Sequence, residues 1–554
     1  MSSELEATTE LNSTFPDGIA GTGAVVVRAE EALIVVFVLI LWVAAIALFF
    51  NRWGKIRMLE PYQPKFQQQH RPSCTIVDPS PLQCLVTGAV LLLATGGGMP
   101  IGYSAVLLPQ LSDNSSTIYV DRELGSWIAS VHSLATPIGS LLSGPLLDAI
   151  GRRSSLQLSA VPLCIGWLII GFSRNVISIL VGRVVCGLSV GLMAVPAQVL
   201  VGEMADPNLR GFLAVGGFAS YCCGILLVYA LGASFNWDIV AFCAIVLPFL
   251  ASVALCLVPE SPVWLVRRKK IERAKKALLW LRGGDMEQMC KEITFLNTRM
   301  ETDLDERPAN ISLKERIFSA VSTIRDPGVL KPLVIINVFN MLQLSSGTYI
   351  IVFYAVDMVK DIGGGNVDNY LAAVVTAVIR FIFSLVSCVL LLKMGRRTLG
   401  ILSALGTSLA SLVLAGYMVA GKGGASVDSY VLAVCLLLYV AANTIGLLTL
   451  PGLMISELMP LRARGIGGGF IFFFFNLLMF FATKCFPLVN EAVGTTGIFA
   501  IFGTFAFLEA VFIYLALPET KDRTLQEIED YFQQSNILWI TRRQARRRNR
   551  VQEE

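Results

Sequence analysis

Two stretches of the chain repeat each other in the order and spacing of their charged residues. The repeated markers are a glutamate ahead of an Arg-Gly pair and a Gly-Arg-Arg triplet: Glu203 with Arg210-Gly211, Glu457 with Arg464-Gly465, Gly151-Arg152-Arg153 and Gly395-Arg396-Arg397. Each marker stands where a long apolar run ends. Matching charges at matching ends of apolar runs are typical of membrane proteins built from two repeated halves, and they favour a transporter over a soluble enzyme.

The composition favours a membrane protein as well. Hydrophobic residues make up 55% of the 554 residues, charged residues make up 15%, and the mean hydropathy is +0.66. A soluble chain of this composition would expose large apolar patches, so a polytopic membrane protein is the better interpretation. The two histidines, His70 and His132, and the twelve cysteines show no metal-ligand spacing. This argues against a metal site, a cofactor and an enzyme.

Thirteen apolar runs are long enough to cross a bilayer as helices, which takes about 20 residues. They lie at 32–50, 84–109, 126–147, 155–173, 177–200, 213–232, 237–258, 331–357, 370–392, 399–420, 430–456, 465–487 and 496–517. Between the seventh and eighth runs, the spacing of Ile271, Ala274, Leu278 and Leu281 predicts a soluble helical insert.

The predicted fold is an all-α membrane protein of two six-helix bundles with one extra helix at the amino terminus. Its parts are an N-terminal segment with the extra helix and a cytosolic linker (1–80), a first bundle (81–258), a cytosolic insert (259–328), a second bundle (329–517) and a basic cytosolic tail (518–554).

The basic residues of the loops predict the orientation. Loops with several arginines and lysines alternate with loops that carry only one, and the positive-inside rule places the former in the cytosol. The extra helix 32–50 follows an acidic segment and precedes a basic one, so the amino terminus is expected outside and the carboxyl terminus in the cytosol. Asn12 and Asn114 then lie in external sequons and are candidates for glycosylation.

Both ends of the chain have a functional and a neutral interpretation. The extra helix is either a targeting or protein-partner helix or a neutral extension, including a gene-model fusion with a separate single-pass protein. The basic tail between Arg542 and Arg550 either attracts anionic membrane lipid or is simply solvated. Nucleic-acid binding is not expected.

The ordered motifs resemble the sugar porters of the major facilitator superfamily. They include Gly182-Arg183, Pro259-Glu260-Ser261-Pro262-Val263-Trp264-Leu265 and Pro518-Glu519-Thr520-Lys521. Ser126-Trp127 and Thr483-Lys484 look closest to the insect facilitated trehalose transporters. The resemblance covers about residues 84–534 and implies two bundles that rock about a central sugar site, without a cofactor.

The resemblance also implies a role for the charges at the helix ends. In the family, such ion pairs close the cytoplasmic side of the outward-open state, and they therefore set the conformational equilibrium. The matching residues are Arg152, Arg153, Arg183, Glu203 and Arg210 in the first half and Arg396, Arg397, Glu457 and Arg464 in the second. Loop anchoring and membrane insertion are the plainer interpretation of these charges.

The substrate positions of the family hold mostly different residues in this chain. Sugar binding needs hydrogen-bonding side chains and an apolar or aromatic face for the ring. The candidate substrate residues at the matching positions are Phe218, Gln343, Tyr349, Arg380, Thr444 and Asn476. Only Gln343 keeps the residue of the family, while Leu344 replaces a second glutamine and Gly452 replaces a tryptophan.

Arg380 is the largest departure, because an arginine inside an apolar run is unfavourable unless it faces water or a partner. One interpretation is that it attracts an anionic or strongly polar substrate. The other is a structural pair with an acid such as Glu509.

The expected activity is facilitated diffusion of a sugar of the trehalose or hexose class across the plasma membrane. No nucleotide-binding motif is present, and residues 85–109 lack the acid that a proton-coupled sugar porter carries on its first helix. The alternatives are a receptor or scaffold of the same fold that transports nothing, and a carrier of an anionic solute other than a sugar.

Overall fold

The computed structural model describes residues 81–112, 118, 120–204, 210–305, 326–363, 369–422, 429–460, 463–521 and 525–533. All regular secondary structure in these ranges is helical, which agrees with the predicted all-α class. The predicted extra helix 32–50, the sequons at Asn12 and Asn114 and most of the basic tail lie outside the described residues.

The first half contains six predicted spans, and the last of them is divided at Ile245. The helices are α1 (Pro81–Leu111), α2 (Arg122–Ile150), α3 (Arg152–Gly171), α4 (Val176–Met204), α5 (Arg210–Ser234), α6 (Trp237–Ala244) and α7 (Val246–Cys256). The connection between α2 and α3 is Gly151 alone, with a φ of 102°, a conformation that glycine adopts readily.

The second half is more divided than the apolar runs predict. Its helices are α11 (Pro327–Ser345), α12 (Ile350–Phe353), α13 (Ala355–Gly363), α14 (Asn369–Lys393), α15 (Arg396–Lys422), α16 (Ser429–Ile445), α17 (Leu450–Leu458) and α18 (Arg464–Ala516). The prediction of a single helix at 331–357 is wrong, because the chain turns at Gly347, which has a φ of 84°. The runs predicted at 465–487 and 496–517 form two helical segments within α18, which meet at Gly494, where the backbone is not helical.

Ten helices of the described residues are long and apolar enough to span a membrane. One of them contains both runs of α18, and α2 is not among the ten. The buried side of α2 carries serine and threonine, and these hydroxyls donate to carbonyls of their own helix, as Ser130 does to Ser126 at 2.7 Å. Such internal bonds satisfy the polar groups of a helix packed inside a bundle.

The segment between the halves is helical, with α8 (Pro262–Arg267), α9 (Ile271–Leu281) and α10 (Met286–Asp305). Ala274, Leu278 and Leu281 of the predicted periodic set are buried, and Trp264 belongs to the same apolar cluster as the first two. A final helix, α19 (Leu525–Gln533), packs on α11 and α17 of the second half. The insert therefore forms a small core of its own beside the first half.

Candidate functional site

The first half carries an ion-pair cluster at the end where α3 begins and α4 ends. The guanidinium of Arg152 donates from Nε and Nη2 to the carboxylate of Glu203, at 2.9 and 3.0 Å. The Arg152 side chain is only 4% exposed and that of Glu203 is 16% exposed. A buried, bidentate pair of this kind is strong and directional, so it fixes the ends of the two helices to each other.

Glu260 completes this cluster as the cap of α3. Its Oε1 accepts hydrogen bonds from the backbone N–H groups of Arg152 and Arg153 at 2.7 and 3.0 Å, and its Oε2 accepts from that of Ser154 at 3.3 Å. The first N–H groups of a helix lack intrahelical acceptors, and a carboxylate there also complements the helix dipole. Because a Cβ at Gly151 would overlap the Glu260 carboxylate, only glycine leaves room for this cap.

The second half repeats the arrangement. Arg396 donates to Glu457 at 3.1 Å, and Glu519 accepts from the backbone N–H groups of Arg396 and Arg397 at 2.9 and 3.2 Å. A hydroxyl also donates to the paired glutamate in each half. Ser261 donates to Glu203 in the first half, and Thr520 donates to Glu457 in the second. The two halves therefore share one ion-paired frame, and we call the end of the molecule that holds both clusters the ion-pair end.

The remaining candidate gating arginines have different surroundings. Arg153 donates to the carbonyl of Cys256 at 3.1 Å, and Arg397 donates to the carbonyl of Tyr514. Arg210 and Arg464 begin α5 and α18, but their side chains lie outside the described residues.

Arg183 does not lie at the ion-pair end. The prediction that places it with the other gating arginines is therefore wrong about its position. It lies some twenty residues before Glu203 on the same helix, which corresponds to about 30 Å. Its guanidinium is fully buried and donates to the carbonyls of Pro100, Ile128 and Ala129 and to the hydroxyl of Ser104. Arg183 is therefore a structural link between α4, α1 and α2.

The two halves meet through polar contacts at the opposite end of the molecule. Lys484 of α18 donates to the hydroxyl of Ser126 at 2.7 Å, and its ammonium lies 4.3 Å from the centre of the Trp127 ring. Arg122 pairs with Glu491 at 3.2 Å. We call this end the joined end. Because α2 starts here and finishes at the ion-pair end, the two ends lie a full helix apart.

Arg380 lies between the joined end and the ion-pair end, on the α14 helix that packs against α5 of the first half. It is 3% exposed, and its Nη1 has no hydrogen-bond partner within the described residues. It lies within electrostatic range of Tyr221 and Tyr229 of α5 and of Tyr349 and Tyr439 of the second half. The part of the chain that the structure describes contains no ion pair between Arg380 and Glu509.

Four of the other candidate substrate residues are buried, and three of these already use their polar groups. The amide of Gln343 donates to the carbonyl of Leu447 at 2.5 Å, but its Oε1 has no partner among the described residues. Thr444 and Asn476 donate to carbonyls one turn earlier in their own helices, at 2.6 and 2.9 Å. Tyr349 contacts the ring of Phe475 edge to face, with 5.4 Å between the ring centres.

Phe218 of α5 reaches across to the second half. A Cβ at Gly452 would overlap the Phe218 ring, so the ring occupies space that a side chain at position 452 would fill. The structure thus brings Phe218 to Gly452, and it brings Arg380 close to Tyr349. The described contacts do not bring Thr444 or Asn476 into a hydrogen bond with any of them.

Sequence reasoning missed the capping role of Glu260 and Glu519 and the contact of Lys484 with α2. The signal for the caps was present, because each glutamate follows the last span of its half and each half has a Gly-Arg-Arg triplet at the start of a helix. The Lys484 contact joins residues from different halves, and the sequence gives no spacing that predicts it.

Comparisons with known proteins cover most of the chain. The family profile described as Sugar (and other) transporter matches residues 94–532, and one described as Domain of unknown function (DUF4808) matches residues 26–90, which include the predicted extra helix. A facilitated trehalose transporter Tret1-2 homolog of Drosophila simulans is 30% identical over 81% of this chain and 90% of its own length. Trehalose transporter 1 of Drosophila melanogaster is 29% identical over 86% of this chain, which spans only 56% of that longer protein.

Solved structures give the same picture for the fold. The chain is similar to the proton:xylose symporter XylE bound to 6-bromo-6-deoxy-D-glucose, with a TM-score of 0.63 and 22% identity over 80% of this chain and 99% of the other. It is also similar to the inward-open xylose transporter XylE from E. coli, with a TM-score of 0.65 and 21% identity over the same shares. At these identities the similarity is one of fold.

Proposed function

Since this chain belongs to the sugar (and other) transporter family of the major facilitator superfamily, we propose that it carries a sugar by facilitated diffusion. Membership of this family makes the chain a transporter and not an enzyme, and the predicted fold of two six-helix bundles is confirmed by the solved structures. The proposed solute is of the trehalose or hexose class, in keeping with the names of the relatives.

One observation carries the proposed mechanism: among the described residues, the buried ion pairs tie helices within each half, while the contacts of charged side chains between the halves lie at the joined end. Two bundles that are rigid in themselves and held together at one end can rock about the residues between them. The proposed site is this central region, where Phe218 meets Gly452 and Arg380 faces tyrosines of both halves.

Uptake of labelled trehalose and glucose into vesicles that contain the purified protein tests the proposal. Saturable flux that runs down the sugar gradient without an imposed ion gradient is the expected result. Gln343→Leu removes the buried amide at the candidate site, both its unpaired oxygen and its hydrogen bond to Leu447, and should lower this flux. Lys275→Gln, on the exposed insert, is the matched control and should leave it unchanged. Absence of saturable flux for both sugars would overturn the proposal.

The proposed location is the plasma membrane, with the ion-pair end in the cytosol and the joined end outside. The loops that hold the Gly-Arg-Arg triplets support this orientation, because they are rich in basic residues. Glycan tagging tests it: Asn12 and Asn114 should both be glycosylated in cells. Glycosylation of Asn114 without Asn12 would contradict the external amino terminus and leave the orientation of the two bundles intact.

A further inference from the structure

Arg380 is a buried cation that the described part of the chain leaves without a counter-charge. Its Nη1 is buried and has no hydrogen-bond partner, and no acid of the described residues lies within ion-pair distance. A charge at this depth in a membrane is unfavourable unless an anion or dipoles compensate it. The question is therefore what the guanidinium binds.

Arg183 shows how this chain satisfies an arginine whose role is structural. It is as buried as Arg380, but three carbonyls and one hydroxyl surround its guanidinium. Arg380 has no such set of acceptors within the described residues. The contrast indicates that the acceptor for Arg380 comes from outside the described residues, and a bound solute is a candidate acceptor.

The position of Arg380 favours a transported acceptor over a bound lipid. The α14 helix lies against α5 of the other half, so Arg380 faces the contact between the two bundles, where the proposed substrate site lies. Phe381 and Ala377, beside it on the helix, are buried too, whereas Val375 and Ile382 are exposed on the outer face. A lipid headgroup would need access from that outer face.

Two hydroxyls beside Arg380 are available as further donors. Tyr229 donates to the carbonyl of Val352 and Tyr439 donates to that of Ser346, so these two phenols are occupied. The hydrogen bonds of the described residues do not use the hydroxyls of Tyr221 and Tyr349, which lie on opposite halves within electrostatic range of Arg380. A guanidinium with two phenols suits a carboxylate, which accepts bidentate bonds from arginine.

We propose that Arg380 binds the carboxylate of a monoanionic sugar acid, a hexuronate, and that such an acid is a preferred substrate of this transporter. The inference rests on the proposed function, because the hydroxyls of the sugar acid use the same central site. A single uncompensated positive charge matches one negative charge, whereas a sugar phosphate would bring close to two. Tyr221 and Tyr349 contribute from the two halves, so the anion would be bound most tightly when both halves close around it.

Competition and thermal-shift measurements test the inference on the purified full-length protein in vesicles and detergent. Glucuronate should inhibit glucose uptake at least 10-fold more strongly than galactose does, and it should raise the melting temperature. Arg380→Gln should lower the affinity for glucuronate at least 10-fold relative to that for glucose. Arg380→Lys keeps the charge but loses the planar fork of donors. Its affinity for glucuronate should therefore lie between those of the wild type and Arg380→Gln. Lys275→Gln removes one exposed positive charge and is the matched control.

The outcomes separate the inference from the proposed function. Saturable glucose flux that glucuronate does not inhibit overturns the sugar-acid inference and leaves the proposed function in place. Equal inhibition by glucuronate in wild type, Arg380→Lys and Arg380→Gln overturns it as well, and so does stronger inhibition by glucose 6-phosphate than by glucuronate. If Arg380→Gln does not yield folded protein, the Arg380→Lys comparison decides. Absence of flux for trehalose, glucose and glucuronate alike overturns the proposed function itself.

Discussion

Replacing Lys484 by methionine should loosen the joined end of the molecule. Methionine keeps the length and apolar stem of the side chain but removes the ammonium that bridges the two halves. The variant loses the hydrogen bond to Ser126 and the contact with the face of the Trp127 ring. Both interactions exist only while α2 and α18 are together, so their loss should favour the conformation in which this end is open.

The size of the shift follows from the two contacts. A hydrogen bond from a charged donor is worth about 1.5–3 kcal/mol, and a cation–π contact at a partly exposed site is worth about 0.5–1 kcal/mol. Because Lys484 is half-buried and Trp127 is 38% exposed, solvent screening lowers the sum to about 2 kcal/mol. At 1.4 kcal/mol for each factor of ten, the population open at this end should rise roughly 30-fold.

Labelling of an engineered cysteine with an impermeant maleimide measures this population. Ser130→Cys is a suitable reporter, since Ser130 is fully buried and lies one turn below Ser126 on the same face of α2. Cys485 is exposed beside Lys484 and should first be replaced by serine. When opening is fast compared with labelling, the labelling rate is proportional to the open population.

The neighbouring pair Arg122–Glu491 provides the control. Its side chains are 65% and 67% exposed, so the pair is worth about 0.5 kcal/mol or less and Arg122→Met should raise the labelling rate only about twofold. If Lys484→Met and Arg122→Met change the rate by the same factor, the ammonium does not hold the joined end closed. The larger stabilisation expected from the more buried Lys484 contact would then be wrong.

Three further predictions concern the frame and the centre. Glu203→Gln should destabilise the purified protein more than Glu457→Gln, by about 2–3 against about 1–2 kcal/mol in thermal unfolding, because Arg152 is the more deeply buried arginine partner. Glu260→Ala should cost about 1–2 kcal/mol through the lost cap of α3, while Glu260→Gln should recover part of that loss. Gly452→Leu should lower uptake because its side chain would meet the ring of Phe218, and Phe218→Ala in the same chain should restore it.

The fold was predictable from the chain because the hydrophobic runs and the repeated charges report on a single constraint. A span must be about 20 residues long, and a charge can follow it only at the membrane surface. The pairing of Arg152 with Glu203 follows in the same way, since both stand at the same end of adjacent helices. The break at Gly347 was not predictable, because glycine inside an apolar run is as compatible with helix packing as with a turn. The break at Gly494 falls in the gap between two predicted runs.

The geometry of the candidate site was only partly predictable from the chain. The sequence grouped Arg183 with the charges of the ion-pair end because Gly182-Arg183 is one of the basic motifs. Its position within α4 nevertheless lies about 30 Å from Glu203. The contact between Phe218 and Gly452 depends on how α5 meets α17 of the other half. Contacts between halves have no counterpart in sequence spacing, so only the structure reveals them.

The two halves share the ion-paired frame but differ in the hydrogen-bond acceptors around a buried arginine. Each half has the same arginine–glutamate pair and the same glutamate cap, which fits equal mechanical roles in rocking. In the first half Arg183 is saturated by acceptors of its own bundle, whereas Arg380 in the second half has a guanidinium nitrogen without a partner among the described residues. Changes around Arg183 should therefore act on stability, and changes around Arg380 on the choice of substrate. Because the two halves share the ion-paired frame and differ at the central site, the choice of substrate can change while the rocking motion of the halves stays the same.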